Sequence, residues 1–278
     1  GPEKIARVGT AGLWRSRYLA FMRVASFNAN SVRARLDLIL DWLAEHRPDV
    51  LAIQETKVED GSFPAAAFQE AGYNVVFHGM KSYNGVAIAS LSPARNVVLG
   101  FGDPEFQADC RMIQAEIDGI TIVNTYVPNG NTVGSDKWAW KLKWLDRFAD
   151  YARVALDPQA PTLWLGDINI APTPDDVYDA HRKLGEVGHH PDEFAALAKI
   201  VDWGWIDCFR KHTSGPGHYT FWDFLVPNAV ERGKGWRIDH IYASSGLADR
   251  CTQCVIDVAP RLVARPSDHT VLWAEFRP

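Results

Sequence analysis

The chain is predicted to be an α/β protein in which two sheets pack together with helices outside them. Two observations lead there. Short apolar or alternating runs recur along its 278 residues, while few stretches carry apolar residues at helical spacing. No Gly-, Ser- or Pro-rich linker divides the sequence, so one large domain is expected rather than two. Hydrophobic residues make up 47% and charged residues 23%, the balance of a globular chain long enough to bury a large core.

Residues 23–27 read as the first strand, and it runs out into Asn28-Ala29-Asn30-Ser31. Ser31 is expected to cap the helix that follows, where Val32, Leu36, Ile39, Leu40 and Leu43 form an apolar stripe. Pro48-Asp49 ends that helix, and residues 50–53 form an apolar strand leading into Gln54-Glu55-Thr56-Lys57. A short helix is expected at 63–71, with strands at 74–78, 85–90, 112–117 and 121–126. The last of these delivers Tyr126 into Val127-Pro128-Asn129-Gly130. Residues 137–154 read as a helix whose Trp138, Trp140, Trp144 and Phe148 face the core.

The apolar residues 163–165 lead into Gly166-Asp167-Ile168-Asn169. If the strand period continues, Asp167 and Asn169 point to the same side. The prolines of residues 171–176 rule out helix and inner strand there. Residues 178–191, with His181, His189 and His190, read as a solvated polar loop, and Pro191 can open a helix through 201. After Tyr219-Thr220-Phe221-Trp222 comes a basic-leaning loop. The alternating run 236–242 then places Asp239 opposite Ile238 and His240. Pro266-Ser267-Asp268-His269 precedes a final apolar strand at 271–276.

Charge and composition bound the function. A net charge of −5 supplies no global field for non-specific binding of nucleic acid, but leaves room for a local basic rim around a metal ion. Cys251-x-x-Cys254 has no second pair and no neighbouring His set, which speaks against zinc and for reduced thiols in an intracellular protein. No run is long and apolar enough to span a membrane. Gly1-Pro2 reads as the scar of a cleaved tag, and residues 3–21 lack the apolar core of a signal peptide. The expected division is therefore 1–21, tag remnant and N-terminal extension, and 22–278, the folded domain.

Asn28, Glu55, Tyr126, Asp167, Asn169, Asp239, Asp268 and His269 all fall in strands or at strand ends. There is no nucleophile elbow, phosphate loop or dinucleotide-binding glycine fingerprint. What remains is oxygen ligation of a hard cation, Mg²⁺ or Mn²⁺, plus a histidine for proton or phosphate work. That set fits in-line hydrolysis of a phosphate ester. From residue types alone, Phe221, Trp222 and Trp236 read as core aromatics.

Seven segments run in a familiar order: Ser26-Phe27-Asn28, Gln54-Glu55-Thr56-Lys57, Tyr126-Val127-Pro128-Asn129, Gly166-Asp167-Ile168-Asn169, Tyr219-Thr220-Phe221-Trp222, Trp236-Arg237-Ile238-Asp239 and Ser267-Asp268-His269. In this the chain resembles the exonuclease III family of DNA-repair nucleases, which share the fold of DNase I. The resemblance implies a four-layer α/β/β/α sandwich of two mixed sheets flanked by helices. It implies Mg²⁺-dependent cleavage, with Mn²⁺ able to substitute, on the 5′ side of an abasic site to leave a 3′-hydroxyl. Exonuclease (3′→5′) and 3′-phosphatase activities on duplex DNA go with it.

By the same resemblance, Glu55 binds the metal, and Asn28, Asp167, Asn169, Asp268 and His269 complete the set around it, with Asn30 nearby. Asp167 orients or deprotonates water and Asn169 binds a phosphate oxygen. His269 contacts the phosphate and Asp239 orients it. Tyr126 contacts the phosphate or supports the leaving group. Asn129, Phe221, Trp222, Trp236 and Ile238 form the DNA-contacting pocket for an extrahelical abasic sugar. The implied partner is duplex DNA with abasic sites or blocked 3′ ends, bound by a cytoplasmic, nucleoid-associated monomer. A metal-dependent phosphoesterase of the same fold, acting on an inositol phosphate or lipid head group, would keep the metal set without needing the Phe221/Trp236 pocket. A DNA-binding module without catalysis would have no need of Glu55, Asp167 or His269.

Overall fold

The computed structural model describes residues 20–278; the expected tag remnant and N-terminal extension at 1–21 fall almost wholly outside the described residues. The strands are β1 (Met22–Asn28), β2 (Val50–Gln54), β3 (Asn74–His78), β4 (Val86–Ser90), β5 (Arg95–Leu99) and β6 (Met112–Ile117). They continue with β7 (Ile120–Tyr126), β8 (Thr162–Asp167), β9 (Ile206–Asp207), β10 (Asp239–Ala243), β11 (Cys251–Asp257) and β12 (Val271–Phe276). Two six-stranded sheets result, in the orders β11-β12-β1-β2-β4-β3 and β5-β6-β7-β8-β10-β9. Each holds one parallel pair at its centre, β1 with β2 and β7 with β8; the other pairings are antiparallel.

The period of two along each strand builds the layers. In β8, Leu163 and Leu165 enter the core between the sheets, while Trp164 points the other way, into the core beneath the helices. Burying such a side chain contributes roughly 1.5–3 kcal/mol. Helices Asp136–Ala155 and Pro191–Val201 cover the second sheet with Trp144, Phe148, Leu197 and Ile200. Helix Leu36–His46 and the shorter Ala65–Glu70 cover the first with Ile39, Leu43 and Phe68. The architecture is the expected four-layer sandwich.

Most predicted elements stand within a residue or two. Two local readings are corrected. Ser31 does not cap the first helix: its hydroxyl accepts from the Ala34 amide in a preceding turn, and the helix starts at Leu36. His189 is not solvated: it is buried, with Nδ1 2.7 Å from the Ala171 carbonyl. His190 caps helix Pro191–Val201 by accepting from the Asp192 amide, and His181 is exposed. The exposed edge strand β5, two-residue β9 and β11 were not anticipated, since none shows clean apolar alternation.

Candidate active site

Strand pairing brings distant residues to one edge. Asn28 pairs with Gln54, so Asn28 and Glu55 emerge together from the first sheet. Tyr126 and Asp239 both pair with Asp167 in the second. The two edges meet at a cleft of about 310 Å³ whose lining includes Glu55, Tyr126, Asn129, Asp167, Asn169, Asp268 and His269. Phe221, Trp236 and Ile238 close its apolar side.

The turn after β8 aims Asp167 and Asn169. Gly166 sits at φ +134°, and a Cβ there would lie 2.0 Å from the Thr125 carbonyl oxygen, so a side chain has no room. Asp167 and Asn169 do share the cleft, but through a turn rather than a continued strand. Asn169 has φ +54° and donates its amide to Asp167 Oδ1 at 3.0 Å. Its Nδ2 donates to the Val127 carbonyl at 2.8 Å, and its Oδ1 lies 3.4 Å from Asn129 Nδ2.

Asn28 ties the two carboxylates together. Its Nδ2 donates to Glu55 Oε1 at 2.9 Å and to Asp167 Oδ2 at 2.8 Å, while its Oδ1 accepts from the Asn30 amide. The oxygen expected to face a cation is thus turned to the backbone, and Asn28 lies behind the cleft. Asp268 Oδ1 is 3.4 Å from Asn30 Nδ2, and Lys57 Nζ stands 2.6 Å from Asn30 Oδ1 and 3.5 Å from Glu55 Oε2.

His269 stands between two acids, with Nδ1 2.7 Å from Asp239 Oδ2 and Nε2 3.4 Å from Asp167 Oδ2. All three are buried. Burial works against the imidazolium, but the charges of Asp239 and Asp167 overcome it and push the His269 pKa up. Burial raises Asp167 above the usual carboxylate range; Asp239 and Glu55 add to this, while His269 and the Asn28 hydrogen bond oppose it. Tyr126 is likewise pushed well above its ordinary value by burial and by Glu55 and Asp167, so its phenol keeps its proton.

Glu55, Asp167 and His269 each bring a ligand atom within 4.8 Å of the others, the one such group found among the described residues. Two carboxylates held at this range repel one another, and a bound cation would relieve them. Hard oxygen donors with a single imidazole suit Mg²⁺ or Mn²⁺; zinc would draw more nitrogen or sulfur. The donor set therefore fits the metal that the sequence implied.

The apolar wall is built from short backbone bridges. Phe221 pairs with both Trp236 and His269, and its ring centroid is 4.9 Å from that of His269. Trp222 does not join it. One residue on, its indole turns away from the cleft and packs with Tyr219 and Ala229, while its amide donates to the Asp268 carbonyl at 3.0 Å. Val187, Gly188 and Asp223 also line the cleft. They sit in loops without periodicity, so no sequence signal marked them.

Two buried charge networks support the site. Arg237 is buried between Trp236 and Ile238 and donates to Asp176 Oδ1 at 2.7 Å and Asp207 Oδ2 at 2.8 Å. This fastens the 174–176 turn behind the aromatic wall, where Val177 bridges Trp236. Lys141, on helix Asp136–Ala155, pairs with Glu193, on helix Pro191–Val201, and both side chains are fully buried. Nothing in the sequence named either set of partners.

Hydrolysis of a phosphate ester is the chemistry this arrangement serves. The Endonuclease/Exonuclease/phosphatase family matches the chain over residues 25–269. Exodeoxyribonuclease III of Haemophilus influenzae is 32% identical over 267 residues, 92% of this chain and 100% of that protein. An AP endonuclease from Archaeoglobus fulgidus superposes with a TM-score of 0.88 at 42% identity, covering 92% of this chain and 99% of its own. The 3′ phosphatase NExo from Neisseria, solved bound to product DNA hairpin, superposes with a TM-score of 0.87 at 33% identity, again covering 92% and 99%. The chain belongs to the Endonuclease/Exonuclease/phosphatase family. It is a hydrolase.

Proposed function

We propose that this chain, a DNA-repair nuclease, hydrolyses the phosphodiester on the 5′ side of an abasic site in duplex DNA and leaves a 3′-hydroxyl. The same cleft serves 3′→5′ exonuclease and 3′-phosphatase work, at blocked 3′ ends. The observation that carries the reading is the shared cleft: the Glu55–Asp167–His269 cluster opens directly onto the apolar wall of Phe221, Trp236 and Ile238. An apolar recess accepts a sugar that has lost its base, whereas an intact nucleotide would forfeit its stacking to enter.

Glu55 and Asp167 would be the main ligands for Mg²⁺, or Mn²⁺ in its place, with Asn169 and Asp268 in the same cleft and the protonated His269 ring beside them. Asn28 positions both carboxylates through its amide N–H groups. When bound, the cation supplies Lewis-acid polarisation of the phosphoryl group and neutralises developing negative charge. Asp167 and His269 form the acid/base pair. Asp167 can take a proton from water, and the His269 ring donates one to a phosphate oxygen. Asp239 holds the imidazole by Nδ1, leaving Nε2 for the cleft. The protonated Tyr126 phenol donates to the phosphate or to the departing oxygen. Asn169 and Asn129 hold a phosphate oxygen through their amides.

Residues 22–278 act as the catalytic domain, as a monomer on duplex DNA in the cytoplasm, associated with the nucleoid and engaged in base excision repair. Among the described residues no helix is long and apolar enough to cross a membrane.

The test is single-turnover cleavage of a labelled duplex carrying one abasic-site analogue, with Mg²⁺ and with EDTA, beside undamaged and 3′-phosphate duplexes. Cleavage on the 5′ side of the analogue, only with metal and lost in Glu55→Ala and Asp167→Ala, is expected. Folded protein that leaves all three duplexes intact but turns over an inositol phosphate or a lipid head group would replace the reading with the small-phosphoester one.

A further inference from the structure

Lys141 reaches the cleft from behind, through two carbonyl oxygens. Its ammonium has three N–H groups, and each finds an acceptor: the Asn129 carbonyl at 3.0 Å, the Asn169 carbonyl at 2.7 Å and Glu193 Oε2. Asn129 and Asn169 are the two residues whose side-chain amides meet in the cleft. Glu193 continues the chain of contacts. Its carboxylate accepts from the Gly188 amide at 2.9 Å and from the His190 amide at 3.2 Å. Gly188 belongs to the opposite wall, where a Cβ would lie 3.1 Å from the Trp236 ring, and its carbonyl accepts from the Ala171 amide at 2.7 Å. A single ion pair therefore connects the loop after β7, the turn after β8 and the loop that ends in helix Pro191–Val201.

Stability alone does not call for this pair. Burying two charges sacrifices their hydration, and well-packed apolar side chains of similar volume are often as stable or more so. An apolar side chain at 141 would fill the space but donate to neither carbonyl. Asn169 stands at φ +54°, a conformation asparagine adopts more readily than most residues, and its carbonyl is turned toward Lys141. Its side-chain nitrogen and its carbonyl oxygen are both already engaged, by Val127 and by Lys141.

We propose that Lys141 and Glu193 are positioning residues that set the spacing of Asn129, Asn169 and the Gly188 wall, and through that spacing the turnover of bound substrate. The claim rests on the proposed nuclease reading for its rate, and on geometry alone for its spectroscopic readout.

The experiment compares Lys141→Met, Lys141→Arg, Glu193→Gln and the double variant Lys141→Met/Glu193→Leu. Each is followed by thermal melting, by single-turnover rate at saturating abasic duplex with Mg²⁺, by affinity for that duplex, and by the ¹⁵N-resolved side-chain amide signals of Asn129 and Asn169. Misplacing reacting groups by about an ångström lowers rates by up to ~100-fold, so a loss on the order of 10- to 100-fold in turnover is expected for Lys141→Met and the double variant. DNA affinity should stay within about twofold, and Lys141→Arg should lose rate as well, because a bulkier planar guanidinium cannot place donors on the same three acceptors at a fully buried position. The double variant should melt at or above the wild-type temperature while its Asn129 and Asn169 signals move. A stable double variant with wild-type turnover, or with unmoved amide signals, overturns the proposal; so does a rate loss that only tracks lost folding. If wild type cuts no duplex, the nuclease reading fails, and the amide signals still decide whether the pair positions the two asparagines.

Discussion

Asp239 Oδ2 lies 2.7 Å from His269 Nδ1, and the other oxygen of that carboxylate is buried with no hydrogen-bond partner among the described residues. The acid's one strong side-chain contact is therefore the imidazole. It fixes the ring by one nitrogen and presents the other to the cleft.

Asp239→Asn should keep the fold and lose turnover. The amide replaces a charged acceptor with a group that can offer His269 the wrong atom. The expected loss is on the order of 10²-fold or more, the range of a misaligned acid or base. Single-turnover rates beside a melting curve test this, and a variant with near-wild-type rate would remove Asp239 from the mechanism.

Metal binding should be visible without activity. A ligand that binds only the folded state stabilises it by about 2.7 kcal/mol at a hundredfold excess over its dissociation constant. The wild-type melting temperature should rise with Mg²⁺ concentration. Asp167→Asn removes a buried charge held close to Glu55 and Asp239, so its metal-free form should melt above wild type. It should also lose most of the Mg²⁺-dependent rise. An unchanged rise in this variant would place the cation elsewhere.

Stability should depend on acid through Arg237. Burial alone would raise the pKa of Asp176 and Asp207, but the guanidinium overrides it and holds both carboxyls below the usual range. Groups depressed in the folded state contribute stability that is fully present above the ordinary carboxylate value, about 4, and is lost as pH falls below it. Arg237→Met should cost about 3 kcal/mol at pH 7 by removing the guanidinium the two carboxylates share, although Asp176 keeps Arg210 and Asp207 keeps the Phe209 and Arg210 amides. Having lost their shared cation, the two acids would titrate upward, so the gap should narrow between pH 7 and pH 5. Urea unfolding at both values measures it; a gap that widens in acid would contradict the assignment.

Selectivity should separate the two neighbouring aromatics at 221 and 222. Loss of one apolar contact surface changes discrimination by about 1–3 kcal/mol, or roughly 10- to 200-fold. Phe221→Ala and Trp236→Ala should reduce the preference for the abasic duplex over undamaged DNA by such factors. Trp222→Phe should lower the melting temperature and leave the preference alone. Competition between the two duplexes reads this directly, and a selectivity loss in Trp222→Phe would return that indole to the pocket.

Much of the site was legible because chain direction and pairing carry it. An apolar run ending in an acid, as at Ile53-Gln54-Glu55 or Leu165-Gly166-Asp167, announces both the buried strand and the polar group at its exit. Helix 137–154 was legible from its aromatic spacing, and Trp138, Trp144 and Phe148 are core residues while Trp140 is only partly buried. Period alone did not decide Trp222, because the short 219–222 segment bends between two single bridges instead of joining a sheet.

By itself, then, the sequence determined the strand ends and the residue types that chemistry would find there, since side-chain periodicity and turn preference are local properties of the chain. Only the tertiary structure decided that Asn28 gives its amide rather than its oxygen to the cluster, that His189 is buried, and that Lys141 and Arg237 hold the site from behind. Each of these depends on partners in distant segments: Asn28 on Asp167, His189 on Ala171, Lys141 on Glu193, Arg237 on Asp176 and Asp207. A buried polar group must find its partner wherever the fold places one, and sequence spacing holds no record of that choice.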